Sequence, residues 1–298
     1  MLARLPILSA CIAMLLVMPV LPAAALDPPP PPAVAPLSGG GFVRVNIIDG
    51  EDGRDALVSL GPRLGLSAAD IARIRMVSGY VGCLSPSPSV GSAALFLNNS
   101  QILTAAHVFF EPSGQRRFKC FFKNQASSPV MIDLLVDDAN ARFGARRPKP
   151  GSNNDYAVVR LAEPLAGAVP FPVMADIPVQ KGEKLIVVTA HPADMAREID
   201  RGMPVVQGCT VRRKPVSSEK TSFFRTDCDA TGASSGGMNL ARINGELAFR
   251  GITITTGPWR DPALMGAPYD EKSGSVTTAL GTDAAVLAAG RSLAGSGR

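Results

Sequence analysis

Short apolar segments separated by turn residues most constrain the fold of this 298-residue chain. From Val77 onward the turns recur at intervals of about 8 to 15 residues, a spacing typical of antiparallel β-barrels and β-sandwiches. Long amphipathic helices are missing from this region. Because 46% of the residues are hydrophobic and only 18% are charged, the chain can bury a large core in one or two domains. The pattern therefore predicts an all-β fold.

The clearest strand signal is a β-hairpin near the C-terminal end. An Asn-Gly pair at 244–245 separates apolar segments at 239–243 and 246–254, and Asn-Gly favours the tight turn in which both central residues have positive φ. The tail at 283–293 has a helical pattern, with Asp283 as its N-cap. Four more segments are apolar or β-branched and are predicted strands: 93–97, 101–105, 156–161 and 185–189.

Residues 1–25 have the features of an export signal. Arg4 precedes an apolar run at 7–21, and Ala23 and Ala25 are small residues placed for signal-peptidase cleavage. A membrane anchor is the alternative interpretation, but the run is short, interrupted by proline and followed by Pro-rich sequence. We therefore expect an exported protein, periplasmic or extracellular, without stable insertion in a membrane.

A Pro/Gly-rich linker at 26–42 follows the signal. The next segment, 43–76, begins with an alternating apolar pattern at 43–48 that predicts a strand. Ser67 and Asp70 then form a capping box that predicts the start of a short helix. The segment 43–76 is either a propeptide or a brace on the main domain, and the sequence does not choose between the two.

Four cysteines remain when the signal is removed: Cys83, Cys120, Cys209 and Cys228. An even number fits disulfides in an oxidising compartment. Three pairings are possible, and Cys83 with Cys120 and Cys209 with Cys228 is the one in which each bridge stays local. Zinc binding is the alternative, but no two of the four form a Cys-x-x-Cys pair and the chain has only two histidines. We expect no metal and no cofactor.

The charge balance, 30 Lys and Arg against 25 Asp and Glu, is mildly basic. The basic residues are scattered along the chain rather than clustered. A nucleic-acid partner is therefore not expected.

Three short segments supply the residue types that acyl transfer needs: a base, an acid that orients the base, and a nucleophile with nearby N–H donors. In the first, the small residues of a Leu-Thr-Ala-Ala-His-Val sequence leave room around the imidazole of His107. In the second, Asp155 directly precedes a predicted buried strand, where a carboxylate needs a donor such as an imidazole N–H. Taken singly, His107 could be an ordinary core histidine and Asp155 an ordinary strand cap.

The third segment, 227–237, places Ser235 among small residues. Such neighbours let the backbone turn sharply and let a substrate carbonyl approach the N–H groups of the turn. Taken singly, a Ser/Gly-rich segment is simply a loop. The argument for a site therefore depends on all three segments together.

Together the three segments resemble the trypsin-like serine peptidase family, in which a Thr-Ala-Ala-His box, an acid-led strand and a Gly-x-Ser-Gly-Gly loop occur in this order. The separations, about 48 residues from His107 to Asp155 and about 80 from Asp155 to Ser235, are similar to those of the bacterial glutamyl-endopeptidase-like branch. The resemblance covers roughly residues 77–293.

This resemblance implies two six-stranded antiparallel β-barrels, the first over 77–165 and the second, with the C-terminal helix, over 166–298. It implies a serine endopeptidase in which His107 is general base and then acid, Asp155 orients it and Ser235 attacks the scissile carbonyl. We accordingly expect a monomer that acts on peptide or protein substrates.

Two departures from the family pattern raise alternatives. Ala233 stands where the family usually has glycine, and its N–H would form the oxyanion hole together with that of Ser235; a catalytically weak or inactive binding protein is therefore an alternative. Ser234 stands where trypsin has an acid that pairs with a new N-terminus. Ser234 also fits the Gly-x-Ser-x-Gly pattern of lipases and esterases, although such enzymes have the order Ser, acid, His, which this chain reverses.

Substrate preference is predicted from two positions. Asp229 lies six residues before Ser235, which matches the pocket-floor position that gives trypsin its preference for Arg and Lys; a structural role for this acid is the alternative. Thr253 stands at the position that resembles the histidine of glutamate-cutting members. The absence of that histidine argues against a preference for glutamate.

Overall fold

The computed structural model describes residues 47–149, 151–190, 203–217, 222–255, 264 and 266–294. The predicted signal peptide, the linker and most of the predicted strand at 43–48 lie outside these residues. Ile47 and Ile48, which are described, do not form a strand.

The N-terminal segment contains a short strand, β1 (Asp55–Ala56), and two helices, α1 (Leu57–Leu60) and α2 (Ala68–Val77). The capping box predicted for α2 is confirmed, because the backbone N–H of Asp70 donates to Ser67 Oγ at 3.1 Å and that of Ser67 donates to Asp70 Oδ2 at 2.9 Å. This reciprocal pair satisfies two of the N–H groups that a helix start leaves free.

The first barrel is built from apolar strands with buried side chains on their inner face. Its six strands are hydrogen-bonded in the order β4-β3-β2-β5-β6-β8, and pairing of β4 with β8 closes the ring. A further short strand, β7, pairs with β8. The strands are β2 (Ser78–Ser85), β3 (Ser89–Leu95), β4 (Gln101–Thr104), β5 (Phe118–Asn124), β6 (Met131–Leu135), β7 (Ala141–Phe143) and β8 (Ala157–Leu161).

The second barrel closes in the same way. Its order is β10-β11-β14-β13-β12-β9, pairing of β9 with β10 closes the ring, and β1 is added at the outside of β10. The predicted Asn-Gly hairpin joins β12 to β13, and φ is 53° at Asn244 and 88° at Gly245, as the tight turn requires. The strands are β9 (Lys184–Thr189), β10 (Val205–Ser217), β11 (Ser222–Thr226), β12 (Met238–Ile243), β13 (Glu246–Thr255) and β14 (Thr277–Gly281). The predicted fold of two six-stranded barrels is confirmed.

Two disulfides are present, and of the three pairings that the sequence left open they form the one in which each bridge is local. Cys83 and Cys120 lie directly opposite each other in the β2–β5 ladder, and Cys209 of β10 is bonded to Cys228 after β11. The bridges close segments of 37 and 19 residues, so each restricts the unfolded chain and stabilises the fold by roughly 3 to 4 kcal/mol in the chain-entropy view.

The N-terminal segment contacts both barrels. Leu57 and Ile74 are fully buried in the main hydrophobic core. On the second barrel, β1 pairs with β10; on the first, Arg75 and Gln125 exchange two hydrogen bonds, of 2.9 and 3.1 Å. From Ile47 onward the segment is therefore part of the same folded body as the barrels.

The C-terminal helix, α3 (Ala284–Ala294), is capped as predicted, because Asp283 Oδ1 accepts from the N–H of Ala285 at 3.1 Å. Although it follows the second barrel in the chain, α3 lies against the first. Gly290 packs so closely on the Phe96 ring that a Cβ at this position would lie 2.8 Å from it. No helix in the described part of the chain is both long and apolar enough to cross a membrane.

Candidate active site

His107 and Asp155 meet because the strands beside them pair. His107 lies in a single 3-10 turn directly after β4, Asp155 lies just before β8, and β4 and β8 are adjacent with Thr104 opposite Ala157. The imidazole Nδ1 of His107 is 2.8 Å from Asp155 Oδ2, and the backbone N–H of His107 donates to Asp155 Oδ1 at 3.0 Å. The predicted pair is therefore brought together by direct hydrogen bonds.

The Asp155 carboxylate is fully buried, whereas the His107 side chain retains 24% exposure. Burial of a carboxylate is unfavourable without donors, and Gly151 supplies a third N–H at 3.2 Å. Since a carboxylate only accepts hydrogen bonds, Nδ1 of His107 carries the proton. The other ring nitrogen, Nε2, is then left as an acceptor for a hydroxyl proton.

The loop that contains Ser235 joins β11 to β12 and is bound to both barrels. On the first barrel, Ser92 of β3 donates its backbone N–H to the Ser235 carbonyl at 2.8 Å and its hydroxyl to the Ala233 carbonyl at 2.9 Å. On the second, the N–H of Gly236 donates to the Thr253 carbonyl at 2.6 Å. Ser92 thus fixes the position of the Ser235 loop relative to the barrel that carries His107.

Gly91 shows how close the Ser235 loop lies to the histidine turn. A Cβ at Gly91 would lie 2.6 Å from Val108 Cγ2 and 2.9 Å from the Ser235 carbonyl oxygen. Since Val108 directly follows His107, the histidine turn and the Ser235 loop pack on the same small residue. The Ser235 hydroxyl itself makes no hydrogen bond to the described residues.

The predicted oxyanion donors, the N–H groups of Ala233 and Ser235, are among the free N–H groups of this loop. Ala233 has φ of 71°, the left-handed conformation that glycine usually supplies. The N–H groups of Ser234, Gly236 and Gly237 are all hydrogen-bonded. Among the described residues, those of Ala233 and Ser235 have no acceptor, which is the state that an oxyanion hole requires.

Ser234 has a structural position. It is fully buried, its Oγ accepts from the N–H of Thr231 at 3.1 Å, and its own N–H donates to the Thr231 carbonyl at 3.1 Å. These bonds close the turn that precedes Ser235. The esterase alternative, in which Ser234 is the nucleophile, needs an α/β-hydrolase fold with a parallel sheet, and the antiparallel barrels are a different fold.

Asp229 is turned toward the N-terminal segment. Its carboxylate accepts from the N–H of Ile48 at 2.7 Å and from that of Gly53 at 2.8 Å. Only 4% of the residue is exposed, and this burial raises the pKa of the Asp229 carboxyl to about 6 against the opposing effect of the two donors. These two hydrogen bonds fit a structural role for Asp229, which was the alternative to a position on the floor of the substrate pocket.

Thr253, the second predicted pocket residue, lies on β13 beside the nucleophile loop. Its N–H donates to the Gly237 carbonyl at 2.8 Å and its carbonyl accepts from Gly236. The side chain is 1% exposed, and its hydroxyl has no hydrogen-bond partner among the described residues. The structure therefore places this hydroxyl inside the second barrel. The backbone of Thr253 is hydrogen-bonded to Gly236 and Gly237, the two residues that follow Ser235.

A family model described as the trypsin-like peptidase domain matches residues 91–247, more than half of the chain. The chain belongs to this family. No curated protein matches it.

Solved structures of proteases are similar in fold to this trypsin-like peptidase domain. A Glu endopeptidase in complex with MPD is 14% identical with a TM-score of 0.58, over 81% of this chain and 96% of that one. The active form of an M. tuberculosis protease is 14% identical with a TM-score of 0.52, over 85% and 92%. A thermostable serine protease, AL20, from an extremophilic microorganism is 17% identical with a TM-score of 0.51, over 74% and 99%. At these identities the likeness shows the fold.

Two residues of the trypsin-like site were missed by sequence reasoning. Ser92 bonds the nucleophile loop across the barrels, and Gly91 leaves the space between His107's turn and Ser235. Both lie in an unremarkable stretch of small residues on β3, so no local signal separates them from an ordinary strand. Only the pairing of distant segments reveals their role.

Proposed function

We propose that this peptidase domain is a serine endopeptidase that hydrolyses peptide bonds through an acyl-enzyme, with His107, Asp155 and Ser235 as its triad. One observation carries the proposal: His107, hydrogen-bonded to the buried Asp155, lies beside a serine loop in which the N–H groups of Ala233 and Ser235, the predicted oxyanion residues, have no acceptor among the described residues. The base then comes from the turn after β4, the orienting acid from the residue before β8, and the nucleophile and the donors from the loop between β11 and β12.

In the proposed reaction, Ser235 Oγ attacks the scissile carbonyl carbon while Nε2 of His107 takes the hydroxyl proton. Asp155 holds the Nδ1 proton and stabilises the imidazolium that forms. The carbonyl oxygen becomes an oxyanion and accepts hydrogen bonds from the N–H groups of Ala233 and Ser235. His107 then donates its Nε2 proton to the leaving amine, and water repeats the sequence to release the acid and regenerate Ser235.

Ala233 was the reason to consider an inactive binding protein. Its φ of 71° gives the loop the conformation that glycine gives in the family, at a cost of about 1 to 2 kcal/mol for an L-residue. The N–H that the oxyanion needs is still present and free among the described residues. These observations favour an active hole over a degenerate one.

The proposal extends to location and substrate. Two disulfides fit an oxidising compartment, which agrees with export to the periplasm or the medium. Peptides or proteins are the substrates of the fold, and we propose that the chain acts on them as a monomer.

A fluorophosphonate probe tests the proposal, because it reacts only with an activated serine. The mature protein should be labelled, Ser235→Ala should not, and His107→Ala should react at least about a hundredfold more slowly because the base is lost. Ser234→Ala separates the two candidate serines: it should still be labelled, but more slowly than the wild type, because the Thr231 N–H loses its acceptor. Labelling that persists in Ser235→Ala, or folded wild-type protein that never reacts, contradicts the assignment.

A further inference from the structure

An arginine that the proposed mechanism does not use is buried beside the histidine turn (Ala106–Phe109). Arg117 lies directly before β5 and is 8% exposed, although arginine is one of the residue types least often buried. A buried guanidinium is unfavourable unless its N–H groups are hydrogen-bonded. The acceptors that Arg117 binds therefore indicate its role.

The acceptors are the carbonyl groups of the histidine turn and of the residue after it. Nη1 of Arg117 donates to the carbonyls of His107 at 3.3 Å and Val108 at 3.4 Å, and also to that of Phe110. The backbone N–H of Arg117 donates to the Phe109 carbonyl at 2.7 Å. Every carbonyl from His107 to Phe110 thus accepts a hydrogen bond from this one residue. A helical turn leaves its last carbonyls without partners inside the turn, and Arg117 supplies them.

The rest of the guanidinium is fixed by Ser87, in the connection between β2 and β3. Nε of Arg117 donates to the Ser87 carbonyl at 3.1 Å, and Nη2 donates to the Ser87 hydroxyl oxygen at 3.4 Å. That hydroxyl donates to Glu111 Oε1 at 2.5 Å, and the Glu111 carboxylate attracts the guanidinium. Since the guanidinium is planar and rigid, these bonds fix its position relative to the histidine turn.

A role in binding substrate does not fit Arg117. All three nitrogens of its guanidinium group already donate to acceptors within the protein, and the residue is buried. An arginine that binds a carboxylate directly needs accessible donors in its planar fork. The contacts of Arg117 act instead on the backbone that carries the proposed base.

The backbone of His107 is held from two sides. On one side, its N–H donates to Asp155 Oδ1 at 3.0 Å, and Nδ1 lies 2.8 Å from Asp155 Oδ2. On the other side, its carbonyl accepts from Arg117. Asp155 thus orients the imidazole ring, whereas Arg117 fixes the turn from which the ring extends. The turn and the Ser235 loop pack on the same residue, Gly91, so a shift of the turn would move the imidazole relative to that loop.

We propose that Arg117 is a positioning residue of the proposed triad. By binding the carbonyls of residues 107–110, it holds the histidine turn in the place from which Nε2 of His107 can take the Ser235 hydroxyl proton. Arg117 itself contacts neither substrate nor the reacting atoms. A displacement of about 1 Å in a catalytic group can lower a rate about a hundredfold, so loss of these bonds should slow the reaction even in folded protein. The inference rests on the proposed peptidase function, which makes His107 the base.

Fluorophosphonate labelling of Arg117→Met, Arg117→Lys and the wild type tests the proposal, with each full chain kept below its unfolding temperature. Methionine has a similar unbranched side chain but no donor, and it should lower the labelling rate about thirtyfold or more. Lysine keeps the charge but lacks the rigid fork that reaches several carbonyls, so its rate should lie between the other two. Folded Arg117→Met that is labelled as fast as the wild type overturns the proposal.

Arg73→Met is the matched control. Arg73 also donates to backbone carbonyls, those of Val169 at 3.0 Å and Pro170 at 2.7 Å, which lie between β8 and β9. Its loss should change the labelling rate by less than about twofold, because the position of His107 is unchanged. An equal fall in rate in Arg73→Met and Arg117→Met would show a general effect of losing an arginine that binds carbonyls, and would also overturn the proposal.

Ser87→Ala tests the same contacts without removing Arg117. It deletes the hydroxyl that accepts from Nη2 and donates to Glu111, while the carbonyls of the histidine turn keep their donor. We expect a labelling rate about threefold lower. If neither Arg117 variant folds, an unchanged rate in Ser87→Ala overturns the proposal.

The Nδ1 proton of His107 gives a readout that needs no reaction. Because this proton lies between Nδ1 and the buried Asp155 carboxylate, its NMR resonance should appear far downfield in the wild type and be missing in His107→Ala. A displaced turn alters that hydrogen bond, so the resonance should shift or broaden in Arg117→Met but not in Arg73→Met. An identical resonance in Arg117→Met overturns the proposal. A wild type that is never labelled, but whose resonance responds to Arg117→Met, would instead refute the peptidase proposal and support the positioning of His107 by Arg117.

Discussion

Asp229 accepts a hydrogen bond from the backbone N–H of Ile48 at 2.7 Å, which connects the N-terminal segment to the residues that lead from β11 into the Ser235 loop. The same carboxylate binds Gly53, and the backbone of Asp229 is held in turn by Gln207 at 2.9 Å. Six residues separate Asp229 from Ser235. The N-terminal segment therefore supports the part of the second barrel from which the proposed nucleophile extends.

We predict that the segment from Ile47 to Val77 remains in the mature protein. Leu57→Ala and Ile74→Ala should each lower the free energy of unfolding by about 2 to 5 kcal/mol, because both side chains are fully buried in the main core. Val58→Ala is the control: this neighbour is 49% exposed and should change stability by less than about 0.5 kcal/mol. Urea unfolding and N-terminal sequencing of the exported protein make the measurements.

A mature N-terminus beyond Val77, in a protein as stable as the longer chain, would show instead that the segment is a propeptide.

A pH dependence follows from the raised pKa of Asp229. Burial raises this pKa to about 6, above the ordinary value of about 3.9 in an unfolded chain. The Asp229 carboxyl therefore binds a proton more tightly in the folded state than in the unfolded chain. Its protonation adds fully to the free energy of unfolding below about pH 4, and this contribution is lost as the pH rises through about 6. When the pH is lowered from 7 to 4, the free energy of unfolding of the wild type should rise by about 2 to 3 kcal/mol relative to that of Asp229→Asn.

Urea unfolding of both proteins across this range measures the difference. Wild-type protein that loses stability relative to Asp229→Asn on acidification would contradict the prediction, since it would mean that the two N–H donors outweigh burial.

Local signals predicted much of the fold. The Asn244–Gly245 turn, the Ser67–Asp70 capping box and the Asp283 N-cap each depend on residues within about four positions of one another, and the structure has all three. The cysteines form the one of the three possible pairings in which each bridge joins cysteines that are near in sequence. In these cases neighbouring residues alone determine the geometry.

Long-range contacts were beyond sequence reasoning. The Asp229 contact with Ile48 spans 181 residues and uses a backbone donor, which any residue type supplies. Similarly, α3 lies on the first barrel although it follows the second in the chain, and its contact through Gly290 has no sequence signature. Asp155 could be placed near His107 because a known order of motifs connects them, whereas no such pattern connects Asp229 to Ile48.

Ala233→Gly should retain fluorophosphonate labelling and unfold at an equal or higher urea concentration. The left-handed φ of 71° is unfavourable for alanine by about 1 to 2 kcal/mol and costs glycine nothing sterically. Glycine loses more backbone entropy on folding, about 0.5 to 1 kcal/mol, so the net gain in the free energy of unfolding should lie between zero and about 1.5 kcal/mol. A variant that is less stable by more than this amount, or that loses labelling, would show that the Ala233 methyl group has a role of its own.

Ser92→Ala should weaken both stability and reactivity, because the Ser92 hydroxyl connects three parts of the molecule. It donates to the Ala233 carbonyl at 2.9 Å and accepts from the N–H of Ala190 at 3.0 Å. Its loss leaves two backbone groups without partners, at about 1 to 3 kcal/mol each, and loosens the loop that carries Ser235. We expect a fall in unfolding free energy of about 2 kcal/mol or more and a labelling rate at least about tenfold lower.

Ser89→Ala, on the same strand, is the control for the Ser92 variant. The Ser89 side chain has no hydrogen bond among the described residues, so its removal should change neither property. If Ser92→Ala labels as fast as the wild type while its stability falls, the hydroxyl holds the barrels together but does not position the loop. If the labelling rate is still lower at temperatures where Ser92→Ala is fully folded, the Ser92–Ala233 contact positions the Ser235 loop. An effect on fold stability alone would not lower the rate at those temperatures.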